Sequence, residues 1–262
     1  IYVCLTSEAK YPNGELIAKE LILKYSSVFG GIWNTVHHLS VGEVIGKSAN
    51  MLNGARFCDN KIKEIRLDEN LITFTSCDCD SVFPPNYFAL LASKYLHEPN
   101  RYTVFWAGAM GYISNYWDLK YFSRVLNSHF TYYNISLLER SWFRFVQVST
   151  YSASYRLFKS IDFYSPDVVP EDFHTFFKAL FKYGSKVRCE SLPCVISSDA
   201  SEGNGIWGTI VNQYKQVQRW AYGVADYPYI VINIFKSLRN DEFSFKDKAY
   251  IVFRSVNVLI DL

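Results

Sequence analysis

At 262 residues the chain has room for one large α/β domain or two small ones, and its 49% apolar content is enough for a sizeable core. A formal net charge of +2, with no basic stripe to track a phosphodiester backbone, argues against nucleic acid as a partner. Twenty Tyr, 20 Phe and 6 Trp suit aromatic surfaces near sugars or lipid headgroups, and six cysteines without C-x-x-C spacing point away from zinc or a disulfide framework and towards a reducing compartment.

Ile1 to Leu5 reads as a buried strand, and a start inside a strand, with no initiator Met or signal peptide, leads us to expect a fragment or processed product. After a Pro12-Asn13-Gly14 turn, Leu16, Ile17, Leu21 and Leu23 predict a helix from about Glu15 to Tyr25, then a strand over Ile32 to Val36. A helix from Lys47 to about Cys58 and a strand over Leu71 to Ser76 continue the alternation, which predicts a Rossmann-like, mostly parallel sheet flanked by helices. Phe83-Pro84-Pro85 breaks the chain before a helix over Tyr87 to Leu96. Trp106 to Ser154 mixes aromatic, Gly and polar residues without clear periodicity and is expected to form strands and loops walling a cleft. Phe173, Phe176, Phe177, Leu180 and Phe181 recur at helical spacing after Pro170-Glu171-Asp172, with Gly184 as the stop, and a further helix runs from about Ile206 to Val224. No apolar run reaches the roughly 20 residues a membrane span needs, and Ala249 to Leu262 suits either an interfacial helix or an amphipathic core helix.

Asp78-Cys79-Asp80 follows a strand directly, where open α/β sheets bind ligands, and two carboxylates at that spacing can share a hard divalent ion with substrate phosphates. The same spacing suits a polar turn capping a strand. Glu171 and Asp172 open a helix, where acidic residues complement the macrodipole; Asp172 is alternatively a general base on a rigid element, with His174 nearby. Gln216, Arg219 and Trp220 cluster on one helix face, where Arg offers planar donors to phosphate and Trp a flat face to a sugar; an interfacial Trp beside a surface Arg fits as well. Lys47 lies at a helix start that can bind phosphate, although Gly42 to Ser48 misses the P-loop spacing, and an exposed helix-initiating Lys is the plainer alternative.

In order along the chain, G-K-S-A-N (Gly46 to Asn50), D-C-D (Asp78 to Asp80), E-D (Glu171, Asp172) and Q-V-Q-R-W (Gln216 to Trp220) resemble glycosyltransferase family 2, specifically its cellulose-synthase-like and hyaluronan-synthase-like membrane enzymes. The resemblance covers roughly Ile1 to Lys236. It implies a GT-A catalytic domain over 1–236, an interfacial or pre-transmembrane segment over 237–262, a membrane location with the catalytic domain facing the cytoplasm, and inverting transfer from a UDP-sugar to a glycan or lipid acceptor. By the same resemblance Asp78 and Asp80 would hold Mg²⁺ or Mn²⁺ and the diphosphate, Lys47 the donor, Asp172 the acceptor proton, Gln216 and Arg219 the diphosphate, and Trp220 the acceptor sugar. Two departures stand out: the family's first P-x-x-N-E strand is absent, leaving only Glu8 for the acidic residue of the next, and Pro-Glu-Asp replaces Thr-Glu-Asp. A non-catalytic GT-A-like scaffold in a membrane complex is the alternative.

Overall fold

The structure is a computed structural model that describes residues 1–139 and 147–261, apart from the side chains at 220, 222, 223 and 258–261. β1 (Tyr2–Glu8) and β2 (Gly31–His37) pair in parallel as a two-stranded sheet, joined by the crossover helix α1 (Pro12–Tyr25) that parallel pairing requires. α2 (Lys47–Glu64) packs across β1 and buries Leu52, Ala55 and Ile62 in the main core. Gly54 allows the close approach: a Cβ there would stand 2.3 Å from Thr6 Cγ2.

The second sheet contains β3 (Thr73–Ser76), β4 (Val104–Tyr112), β5 (Tyr151–Ser154) and β6 (Arg188–Ser198), in the spatial order β3-β5-β4-β6. β3, β4 and β6 share one direction, and β5 runs antiparallel between β3 and β4. The α/β architecture is the expected one, but its sheet is mixed and divided in two. All four residues of β5 are buried, so no alternation marked it, and nothing in so short a run encodes direction.

Helices cover both faces of this sheet. Along β4, Phe105 enters a core with Phe158, Phe176, Phe177 and Leu180, while its neighbour Trp106 enters another with Tyr87, Leu91 and Tyr95 of α3 (Tyr87–His97). A strand buried on both faces loses its polar alternation, which explains the missing period around Trp106. The segment expected to hold only strands and loops also contains an 18-residue helix, α4 (Tyr121–Leu138). Its buried stripe is polar, made of Ser123, Asn127 and Thr131, while Tyr121, Phe122 and Tyr132 are exposed, the reverse of the pattern that marks an amphipathic helix. Thr131 Oγ1 accepts the Tyr112 N–H and Asn134 donates to the Met110 carbonyl, so hydrogen bonds dock α4 on β4.

α5 (Tyr155–Ser160) and α6 (Glu171–Tyr183) cover the Phe105 face. β6 carries Pro193, tolerated because the strand lies at the sheet edge, next to a register shift opposite Gly108. After α7 (Gly205–Ala221) and α8 (Tyr227–Leu238), α9 (Phe245–Asp261) turns Ile251, Arg254 and Ser255 inward, with the Arg254 guanidinium over the Phe176 ring. Position 236 falls inside α8. Among the described residues no helix is long and apolar enough to cross a membrane.

Gly54→Ala should lower stability by about 1–3 kcal/mol in urea unfolding through overpacking against Thr6, despite the helix propensity gained. Adding Thr6→Ser, which removes the clashing methyl, should return most of that loss.

Candidate active site

The carboxyl ends of β3, β4 and β6 and the amino end of β5 meet along one edge of the four-stranded sheet, and the acidic motifs gather there. Lys47, the first residue of α2, places Nζ 2.8 Å from Asp78 Oδ1 and 2.7 Å from Glu171 Oε1, and donates to the Ser149 carbonyl at 2.8 Å. Ser48 anchors the same helix start by donating to the Ser165 carbonyl at 2.6 Å. Ser149, in the left-handed region at φ 56°, links the motifs: its N–H donates to Asp172 Oδ2 at 2.7 Å and its hydroxyl to Asp78 Oδ2. Gln147 donates to the Asp172 carbonyl, and buried Tyr151 donates to Glu171 Oε2 at 2.7 Å. Asp80 faces the neighbouring strand end, where Ser198 Oγ donates to its Oδ2 at 2.6 Å and the Asp199 N–H at 3.2 Å.

One ammonium serves two carboxylates in this cluster. Burial opposes the charge on Lys47, but Glu171 and Asp78 outweigh it and hold the ammonium well above its ordinary range. Glu171, 4% exposed, answers differently: burial pushes its carboxyl up to about 7, with Asp172 adding to the rise and Lys47 pulling against it. With Lys47 held charged, the more buried of its two partners is the one that takes up a proton. Burial and Glu171 together drive the Tyr151 phenol far up, so it remains a donor.

The structure therefore brings together Lys47, Asp78, Glu171 and Asp172, with Asp80 on the adjoining turn. Asn50 lies on α2 with a buried side-chain oxygen that has no partner among the described residues, and Glu8 ends β1 in an ion pair with Lys10 at 3.0 Å. His174 faces Asp226 rather than the cluster. On α7, Gln216 is half-buried and Arg219 exposed, and neither bonds to the cluster among the described residues; the Trp220 side chain lies outside them. Sequence reasoning missed Gln147, Ser149, Tyr151 and Ser198. Ser149 belongs to no motif and qualifies only through the fold, which sets it between residues 71 positions upstream and 23 downstream.

Among the described residues no three His, Cys, Asp or Glu side chains form a metal cage. The Asp78 and Asp80 carboxylates are nevertheless hard oxygen donors whose partners leave lone pairs free, which fits an Mg²⁺ or Mn²⁺ ion completed by substrate phosphates and water.

A family model described as Glycosyl transferase family group 2 matches residues 74–256. No curated protein matches the chain in sequence. Among solved structures, the mannosyltransferase PcManGT from Pyrobaculum calidifontis, in complex with GDP-Man and Mn²⁺, is similar at a TM-score of 0.51 and 15% identity, over 98% of this chain. The chain spans 60% of that protein's chain, and the likeness is one of fold, GT-A.

Lys47→Met should cost about 1–3 kcal/mol in urea unfolding at neutral pH, since Glu171 loses its ammonium partner but takes up a proton and keeps the Tyr151 hydrogen bond, and adding Glu171→Gln should restore a large part. Because the folded Glu171 carboxyl titrates near 7 against an ordinary 4.5, the folded state binds more protons across that window. Its contribution to stability should thus fall as pH rises from 4.5 through 7, and Glu171→Gln should flatten that slope.

Proposed function

We propose, from the premise that this chain belongs to Glycosyl transferase family group 2, that it moves a sugar from a nucleotide-sugar donor to an acceptor hydroxyl with inversion at the anomeric carbon. Family membership and the shared fold support glycosyl transfer; the finer reading rests on the site. The observation that carries it is the Ser149 bridge, which links the Asp78 carboxylate to the Asp172 carboxylate at the edge where the strands end.

In this reading Lys47 sits beside the donor diphosphate as a fixed positive charge, and Gln216 and Arg219 contact the diphosphate from α7. Trp220 forms a platform for the acceptor sugar. Asp172, held by the Ser149 N–H, takes the proton from the acceptor hydroxyl while that oxygen bonds to the anomeric carbon and the diphosphate oxygen leaves with the electron pair of its bond. A hard divalent ion on Asp78 and Asp80, Mg²⁺ or Mn²⁺, would neutralise charge on the departing diphosphate. Ser149, with its backbone N–H on one carboxylate and its hydroxyl on the other, keeps their separation constant. We take residues 1–236 as the catalytic portion.

A glycan or lipid acceptor at a membrane is supported by the surface of α7 and α8. Trp207 is 80% exposed, Tyr214 69% and Phe235 59%, with Ile210, Val211, Val217, Val231 and Ile232 exposed beside them. Lys215, Arg219, Lys236 and Arg239 share residues 203–240, whose acid, Asp226, is buried. Apolar side chains interspersed with cations and without exposed acids suit an anionic bilayer surface. A cytoplasmic face agrees with cysteines that are all free among the described residues.

The test is nucleoside diphosphate release from a panel of UDP- and GDP-sugars with Mg²⁺ or Mn²⁺ and glycan and lipid acceptors. Asp172→Asn should lower the rate by about 10²–10⁴. Metal-dependent donor binding without release by the folded wild type would favour the scaffold alternative. Sedimentation with vesicles should capture the protein on phosphatidylserine-containing but not neutral bilayers, with Trp207→Ser and Phe235→Ser weakening capture; equal retention on both would count against an anionic surface.

A further inference from the structure

Among the described residues α7 is held through its first half as far as Gln213, and then past its end by Asp226. At its start, Thr209 Oγ1 donates to the Gly203 and Gly205 carbonyls, Asn212 donates to the Glu202 carbonyl and Gln213 to the Ser201 carbonyl. That turn continues from Asp199, whose N–H donates to Asp80. Past its end, a short 3-10 turn leads to Asp226, whose Oδ1 lies 3.0 Å from His174 Nδ1 on α6. His174 is 5% and Asp226 3% exposed, and the Tyr229 ring packs on the imidazole with 4.4 Å between centroids. Beyond buried Gln213, Tyr214, Val217 and Arg219 are exposed and Gln216 is half-buried, so core packing contributes little to the position of the last two turns.

The His174–Asp226 pair has no part in the proposed chemistry, yet it is buried, and Asp226 Oδ2 lacks a partner among the described residues. An apolar pair of similar volume would fill the space without an unsatisfied carboxylate oxygen; what the polar pair adds is one directional bond and hence one relative placement. His174 stands two residues after Asp172, and Asp226 stands seven after Arg219. We infer that His174 and Asp226 form a latch that sets the C-terminal half of α7, and with it Gln216 and Arg219, against the helix that carries Asp172. They are positioning residues, and this role rests on the transferase reading for its effect on turnover.

The test compares His174→Leu and Asp226→Leu, which remove the donor and the acceptor, with His174→Asn, whose amide nitrogen can stand where Nδ1 stands. Hydrogen exchange, read on folded protein without substrate, should quicken by about tenfold or more over 214–226 in His174→Leu and Asp226→Leu while 177–183 exchanges as in wild type. His174→Asn should recover a large part. In turnover, His174→Leu should raise the donor KM by about tenfold, and in an Arg219→Ala background the same substitution should add clearly less, since part of its effect runs through the Arg219 contact. Wild-type exchange over 214–226 in His174→Leu, or full additivity with Arg219→Ala, overturns the latch. If His174→Leu does not fold, Asp226→Leu and His174→Asn decide by the same exchange pattern. A wild type that releases no diphosphate would sink the transferase reading, while the exchange data still decide the latch.

Discussion

The Lys47 ammonium is the contact on which the site depends. It binds Asp78 after β3, Glu171 at the start of α6 and the Ser149 carbonyl before β5, so one side chain joins three segments that are remote in sequence. Without that charge, two carboxylates would face each other across a few ångströms, one of them buried. With it, the trio keeps one surplus negative charge, which Glu171 relieves by taking up a proton near neutrality while Asp78 stays available to solvent. The loop and α2 geometry follow from the same requirement: Gly54 lets α2 lie close on β1, and Ser48 ties its start to Ser165.

Around this cluster the fold separates elements backed by the core from one tied mainly by hydrogen bonds. Asp78, Asp80, Asp172 and Ser149 sit on strand ends and a helix start backed by the Phe105, Phe158 and Phe176 core, so their spacing is that of the sheet. α7 is different, pinned to the Asp80 side at its start and to α6 at its end, with apolar and basic side chains on its exposed surface. In the proposed reading a donor diphosphate meets the strand-end carboxylates on one side and α7, placed by its hydrogen bonds, on the other. The same exposed surface faces outward for a membrane-borne acceptor in the proposed reading.

α3 and α6 were legible because apolar spacing marks a buried face, with Tyr87, Leu91 and Tyr95 inward on one and Phe176, Phe177 and Leu180 on the other. β1, α1, β2 and α2 were placed by apolar runs and turn residues, although α1 leaves Leu16, Ile17 and Leu23 exposed and buries Ala18. α4 was not legible, because it docks through Ser123, Asn127 and Thr131 and leaves Tyr121, Phe122 and Tyr132 exposed. β5 was not legible either, with four buried residues and no alternation. Within the site, Asp78, Asp80, Glu171 and Asp172 announced themselves as carboxylates at a strand end and a helix start. Ser149, which joins them, carries no such mark.

The sequence by itself determined the α/β class, the order of the motifs and the carboxylates available for chemistry, because those depend on local spacing and side-chain type. Only the tertiary structure decided that Lys47 turns to Asp78 and Glu171, that Ser149 bridges Asp78 and Asp172, that β5 runs against its neighbours and that His174 pairs with Asp226. Each of these is a contact between residues distant along the chain. Strand direction and side-chain partners at that range are chosen by how the whole core packs, and a local pattern holds no record of that choice.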